Sequence, residues 1–150
     1  MFGTDDLYQE IIMDHNRSPR NYGSIDTPTV QLEGFNPLCG DQIKIFIELD
    51  GDKISDISFD GIGCAISKSS ASIMTVELKG KQISDAKAVF DAFRLMITAQ
   101  ELDAADIDLL GDVEVLAGVS KYPARIKCAS LAWHTFNSAL SGNANVVTTE

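Results

Sequence analysis

The sequence has no apolar run long enough to cross a bilayer, no Cys-x-x-Cys pair and no cluster of Lys and Arg. It has only 3 cysteines, 2 histidines and 1 tryptophan in 150 residues. Each scarcity excludes something. Without a long apolar segment there is no membrane-spanning helix, and the opening Met1–Asp6 lacks the basic and apolar regions of a secretory signal, so a cytoplasmic protein without membrane contact is expected. An odd number of cysteines cannot close into a disulfide framework within one chain, and a reducing cytosol would keep them as thiols or metal ligands. The missing Cys-x-x-Cys spacing argues against an ordinary zinc ribbon or finger. With 12 Lys and Arg against 22 Asp and Glu, the formal charge is −10, the wrong sign for holding nucleic-acid phosphates. The acidic excess suits solubility, or a basic or mixed protein partner.

What is present suits one globular domain. At 150 residues and 45% hydrophobic content the chain can bury a core without disulfide staples. A single domain over 1–142 is expected, with 143–150 as a disordered tail. Thr4 is placed to cap a first helix in which Tyr8, Ile11, Ile12 and His15 recur at helical spacing, and Ser18-Pro19 ends it. His15 falls near the helix's C-terminal end, where a partly charged imidazole is favourable, or packs inside. Thr29–Glu33 alternates as a strand, and Asn36-Pro37 breaks it, which places Cys39, Gly40 and Asp41 on a loop. Ile43, Ile45, Ile47 and Leu49 mark one face of the next strand, which turns at Asp50-Gly51 into a return strand through Ile54, Ile57 and Phe59. One extra residue, as a longer loop or a bulge, pairs Ile45 with Ile57 and Ile43 with Phe59 and keeps the apolar sides together. Four further helices are expected: about Cys64 to Lys79 closed by Gly80, one capped by Ser84, a short one ending at Gly118 after the acidic stretch 101–112, and one from Pro123 to Gly142.

The cysteines carry the chemistry. Cys39 and Asp41 flank Gly40, and in extended chain they would face one space. The hairpin brings Cys64 back to its open end, so the first two thiols meet through strand pairing. Cys64 also opens a helix, where the dipole favours a thiolate. Cys128 lies in the early turns of the last helix beside Arg125 and Lys127, whose charges lower a thiol's pKa when close. His134 is nearly two turns further on and outside such a site. Three thiolates and one carboxylate suit tetrahedral zinc. They also admit iron or a labile [2Fe-2S] cluster, and a carboxylate in place of a fourth thiolate favours release over storage. Spacing alone leaves open whether all four residues share one site.

Longer motifs bear on that question. Ile12-Met13-Asp14-His15 with Pro19-Arg20-Asn21-Tyr22-Gly23, Asn36-Pro37-Leu38-Cys39-Gly40-Asp41, Gly61-Ile62-Gly63-Cys64 with Ser70-Ala71-Ser72, and Pro123-Ala124-Arg125-Ile126-Lys127-Cys128 together resemble the IscU/NifU N-terminal family of iron-sulfur assembly proteins, from about Leu7 to Leu140. Within that family the chain resembles the SufU branch. Lys127 stands where the IscU branch has a histidine, a Leu-Pro-Pro-Val-Lys chaperone motif is absent near Tyr122-Pro123-Ala124, and the acidic segment from about 101 to 120 looks like the SufU insertion. The resemblance implies an α+β domain of IscU/SufE-like type, a small three-stranded antiparallel sheet packed against several helices. It implies a ligand set of Cys39, Asp41, Cys64 and Cys128.

It also implies partners: a pyridoxal-phosphate cysteine desulfurase of SufS type, and downstream iron-sulfur assembly proteins or apo-proteins. Three readings follow. In the first, the protein is a zinc-dependent sulfurtransferase in which Cys39 accepts persulfide sulfur and Arg125 assists. In the second, the same residues form a scaffold for a transient [2Fe-2S] cluster. In the third, a structural zinc module only binds proteins. A cysteine hydrolase lacks a histidine placed as its base.

Overall fold

Alternating isoleucines build the sheet. In the computed structural model, which describes residues 4–142 and 145–148 with side chains from Tyr8 onward, Ile43, Ile45 and Ile47 are each no more than 1% exposed. They lie on β2 (Asp41–Asp50), the second of three antiparallel strands with β1 (Val30–Asn36) and β3 (Lys53–Ile62). The helices are α1 (Thr4–Arg17), α2 (Ala65–Leu78), α3 (Ile83–Ile97), α4 (Ala104–Leu110) and α5 (Pro123–Leu140), with a 3-10 helix over Gly111–Lys121. The expected Thr4 cap lies outside the described side chains. Helices α5 and α2 pack on the sheet, and α1, α3 and the 3-10 helix close around them. Among the described residues, no helix is long and apolar enough to cross a membrane.

The sheet has four strands, not the expected three. Val147–Thr148 forms β4, parallel to β1 with Gly34 opposite Val147 and Phe35 opposite Thr148, giving the order β3-β2-β1-β4. This pair belongs to the segment expected as a disordered tail; residues 143–144 and 149–150 of it lie outside the described residues. The β2–β3 hairpin contains the extra residue expected from the apolar pattern, as a bulge beside Glu48/Leu49. Its partners differ from those expected: Ile45 faces Phe59 and Ile47 faces Ile57, because the turn centres on Gly51-Asp52 between paired Asp50 and Lys53. A slip of two residues keeps every side chain on its expected face, so the hydrophobic pattern cannot detect it.

Two helix ends also differ. Ser84 lies inside α3, whose N-cap is Gln82 with no side-chain hydrogen bond. The acidic stretch forms a helix of its own, since the Asp103 side chain accepts from the Asp106 N–H and the Asp106 side chain accepts from the Asp103 N–H. The short helix after it is the 3-10 helix, which runs past Gly118 to Lys121.

The serines of α2 have two uses. Their small side chains let neighbouring helices approach, and their hydroxyls reach those neighbours. Ser69 donates to the Ile12 carbonyl at 2.6 Å, Ser70 donates to the Ala129 carbonyl at 2.6 Å, and the Trp133 indole donates to Ser70 Oγ at 3.0 Å. Ser72 Oγ accepts the Arg20 N–H and lies 2.7 Å from His15 Nδ1. His15 is thus a packed histidine. Burial holds its pKa below the ordinary value, with Arg20 adding to the effect and Asp14 and Asp112 opposing it, so the partly charged state expected at the helix end is not the favoured one.

Two outcomes are expected. A Cβ at Gly34 would overlap Thr135 Oγ1 and crowd Leu131 of α5, so Gly34→Ala should destabilise the fold by roughly 1–3 kcal/mol, read as a lowered urea midpoint with unchanged m-value. The unfolded chain protonates His15 near pH 6.5 while the folded chain resists, so stability is full above that pH and declines as pH falls through it. A urea titration of wild type and His15→Gln between pH 7.5 and 5.5 should show a smaller decline in the variant.

Candidate metal centre

Asp41 is the last member of a buried row. It opens β2 in phase with Ile43, Ile45 and Ile47, and at 0% exposure its carboxylate lies on the core side of the sheet. A buried carboxylate needs donors. The Cys64 N–H donates to Oδ1 at 2.8 Å, and the Asn36 side-chain amide donates to Oδ2 at 3.0 Å. Asn36 is itself fully buried and pairs directly across from Asp41 in the β1–β2 register.

Cys39 lies on the turn that joins those strands. The turn is tight rather than extended: Gly40 has φ 73°, and its N–H donates to the Asn36 carbonyl at 2.9 Å. Gly40 therefore serves as a left-handed turn residue, where other residues are strained. The return strand brings in Cys64 as the N-cap of α2, with its sulfur accepting the Ser67 N–H at 3.4 Å. Glycines make this approach possible. A Cβ at Gly61 (φ 128°) would overlap the Gln42 carbonyl, and one at Gly63 would press on Asp41 Oδ1 at 3.0 Å. Tyr22 braces the segment from outside, its hydroxyl donating to the Gly61 carbonyl at 3.0 Å.

Cys128, on the second turn of α5, completes the group. Its thiol donates to Cys39 Sγ at 3.3 Å, and its sulfur also accepts from the Asn36 amide at 3.5 Å. The ligand atoms of Cys39, Asp41 and Cys128 all lie within 4.8 Å of one another, which makes a possible metal site. Cys64 is outside that triad but adjoins it, through its N–H bond to Asp41 and its influence on Cys128. The thiols differ in access: Cys39 is exposed, Cys64 half-buried and Cys128 buried.

Burial pushes the Cys128 thiol well above the ordinary range, with the neighbouring sulfurs of Cys39 and Cys64 and the charge of Asp41 acting in the same direction. The lowering expected of Arg125 and Lys127 if they were close is not found, and both side chains are exposed. Arg125 stacks its guanidinium 4.5 Å from the centre of the Tyr122 ring. It lines an open cavity of about 620 Å³ whose wall includes Cys39, Cys64 and Cys128. His134 packs edge-on against Phe90 with centroids 5.6 Å apart and is not part of that wall.

The residue that sequence reading passed over is Asn36, taken only as a strand breaker. A signal was available: Asn36 is in phase with buried Leu32 and Gly34, so a polar side chain there had to enter the interior.

Comparison with known proteins identifies the family. A family model described as the NifU-like N terminal domain matches residues 7–129. The chain is 46% identical over 137 residues to the zinc-dependent sulfurtransferase SufU of Bacillus subtilis (strain 168), covering 91% of each chain. It is 44% identical over 140 residues to the iron-sulfur cluster assembly scaffold protein IscU of Streptococcus pyogenes serotype M1, covering 93% of this chain and 86% of the relative. A crystal structure of a putative SUF-system scaffold protein from Fervidobacterium islandicum AW-1 superposes with a TM-score of 0.84 at 35% identity, covering 92% of this chain and 99% of that one. The chain belongs to the NifU-like N-terminal domain family.

Proposed function

We propose that this chain is a zinc-dependent sulfur acceptor of SufU type, taking persulfide sulfur from a pyridoxal-phosphate cysteine desulfurase at Cys39. The observation behind this reading is the unequal access of clustered thiols: Cys39 is exposed on a turn, while its neighbour Cys128 is buried 3.3 Å away. The donor set fits the metal. Cys39, Asp41, Cys64 and Cys128 would hold a zinc ion, whose contribution is to keep the thiols deprotonated and ordered.

Transfer itself is thiol exchange. The Cys39 thiolate attacks the outer sulfur of the donor persulfide, a bond forms between that sulfur and Cys39 Sγ, and the donor's sulfur–sulfur bond breaks. The electron pair leaves with the donor cysteine thiolate, which takes up a proton. Cys64 caps a helix and Cys128 is packed within one, so neither can move toward a donor as a turn residue can. Arg125, which lines the shared cavity, would help to orient the donor.

The scaffold reading has the name of the Streptococcus relative behind it, and the same donors would serve it. Accessibility of one thiol among three favours a carrier. Protein purified anaerobically should accordingly contain zinc and no acid-labile sulfide. Free zinc at about a hundredfold over its Kd should add about 2.7 kcal/mol to the unfolding free energy, and a chelator should remove the gain; a melting midpoint indifferent to both would refute metal binding here. Cys39→Ser should still bind the desulfurase but neither stimulate its turnover nor gain persulfide by mass spectrometry. Full stimulation by that variant would refute the acceptor role.

A further inference from the structure

The Asn36 side chain reaches the Cys39 turn, Asp41 and Cys128 at once. Its Oδ1 accepts the Leu38 N–H at 3.3 Å, which fixes the amide orientation within the turn carrying Cys39. That leaves Nδ2, with two hydrogens, facing Asp41 Oδ2 at 3.0 Å and Cys128 Sγ at 3.5 Å. All of this occurs at 0% exposure for Asn36 and Asp41 and 3% for Cys128. We propose that Asn36 is the positioning residue of the metal site, one carboxamide that orients Asp41 and Cys128 together and ties both to the Cys39 turn. The proposal rests on the zinc reading above.

The physical argument has two parts. Asp41 is gripped at both oxygens, by Cys64 N–H and by Asn36, so its carboxylate cannot rotate without losing a bond on one side. Each oxygen still has a lone pair for an ion. At Cys128, an N–H donor stabilises sulfur in its anionic form, the form that ligates. Shielded from water and beside the charge of Asp41, that thiolate depends on such a donor. Partners of this outer kind hold ligands in place, and their loss costs about 10- to 100-fold in metal affinity.

The turn adds a mechanical link. Because the Leu38 N–H and the Gly40 N–H both bond to Asn36, through side chain and backbone respectively, movement of Cys39 away from the cluster pulls on the same residue that holds Asp41 and Cys128. Release of Cys39 and loosening of the remaining ligands are therefore coupled.

The test compares wild type, Asn36→Ala and Asn36→Ser as full chains. Serine can still accept the Leu38 N–H and donate one bond, so it supports the turn if alanine prevents folding. Zinc affinity is measured by competition with a chromophoric chelator, cobalt(II) is used as a spectroscopic probe of the sulfur ligands, and the urea midpoint is recorded without metal. The expected result is a loss of zinc affinity of about 10- to 100-fold in Asn36→Ala, with a smaller loss in Asn36→Ser. The sulfur-to-cobalt charge-transfer band should move to lower energy as the N–H donor is lost. Wild-type affinity and an unmoved band in whichever variants fold would overturn the proposal, even if their metal-free stability drops, because a merely structural role alters only the midpoint. Should wild type itself bind no zinc, the metal reading fails first, and that outcome is distinct from a metal-binding wild type matched by its variants.

Discussion

A carboxylate at the end of a row of isoleucines sets the terms for this fold. Asp41 occupies the position that the alternation of β2 assigns to the core, and there it is cut off from water. An apolar residue at that position would ask nothing of its neighbours. A carboxylate demands N–H donors from two directions, and it obtains them from the start of α2 and from the strand opposite. Satisfying one buried group thus joins the end of β1, the start of β2 and the N-cap of α2. Cys39 lies on the turn between those strands, Cys64 is that N-cap, and Cys128 packs against both Cys39 and Asn36.

Around this point the molecule grades from rigid to accessible. Cys128 belongs to a helix anchored by Trp133, which stacks on Phe93 at 4.4 Å and bonds to Ser70 of α2. Cys64 is held by its own role as a cap. Cys39 depends on little more than a glycine turn and the side chain of Asn36. The same three thiols are therefore placed on supports of different stiffness, with Cys39 on the softest of them.

Much of this was legible from residue order, for identifiable reasons. The faces of β2 and β3 follow from a two-residue period, and Gly80, Pro123 and Gly142 mark helix ends through backbone geometry alone. What escaped was information of other kinds. Hairpin partners could slip by two residues without disturbing the pattern. A cap made by Asp103 and Asp106 looks, in sequence, like surplus charge. The strand at Val147–Thr148 is too short for a two-residue period to announce it, and it pairs along the edge of β1. Cys128 could be placed on a helix face but not against Cys39, since that contact depends on how α5 crosses the sheet, which motif resemblance supplied and periodicity did not. Asn36 shows the opposite case, where phase carried the information and attention to proline hid it.

The short β4 strand has a further bearing. It pairs with β1 along Gly34 and Phe35, while on the far side of the sheet the Asn21–Gly23 segment bridges to β3 at Phe59. Open strand margins are templates on which other chains can polymerise. Here both flanks carry a short stretch of foreign backbone, each beside residues leading to the sulfur site, so the molecule can display an exposed thiol at one end of its sheet without offering neighbouring copies a long margin to stack upon.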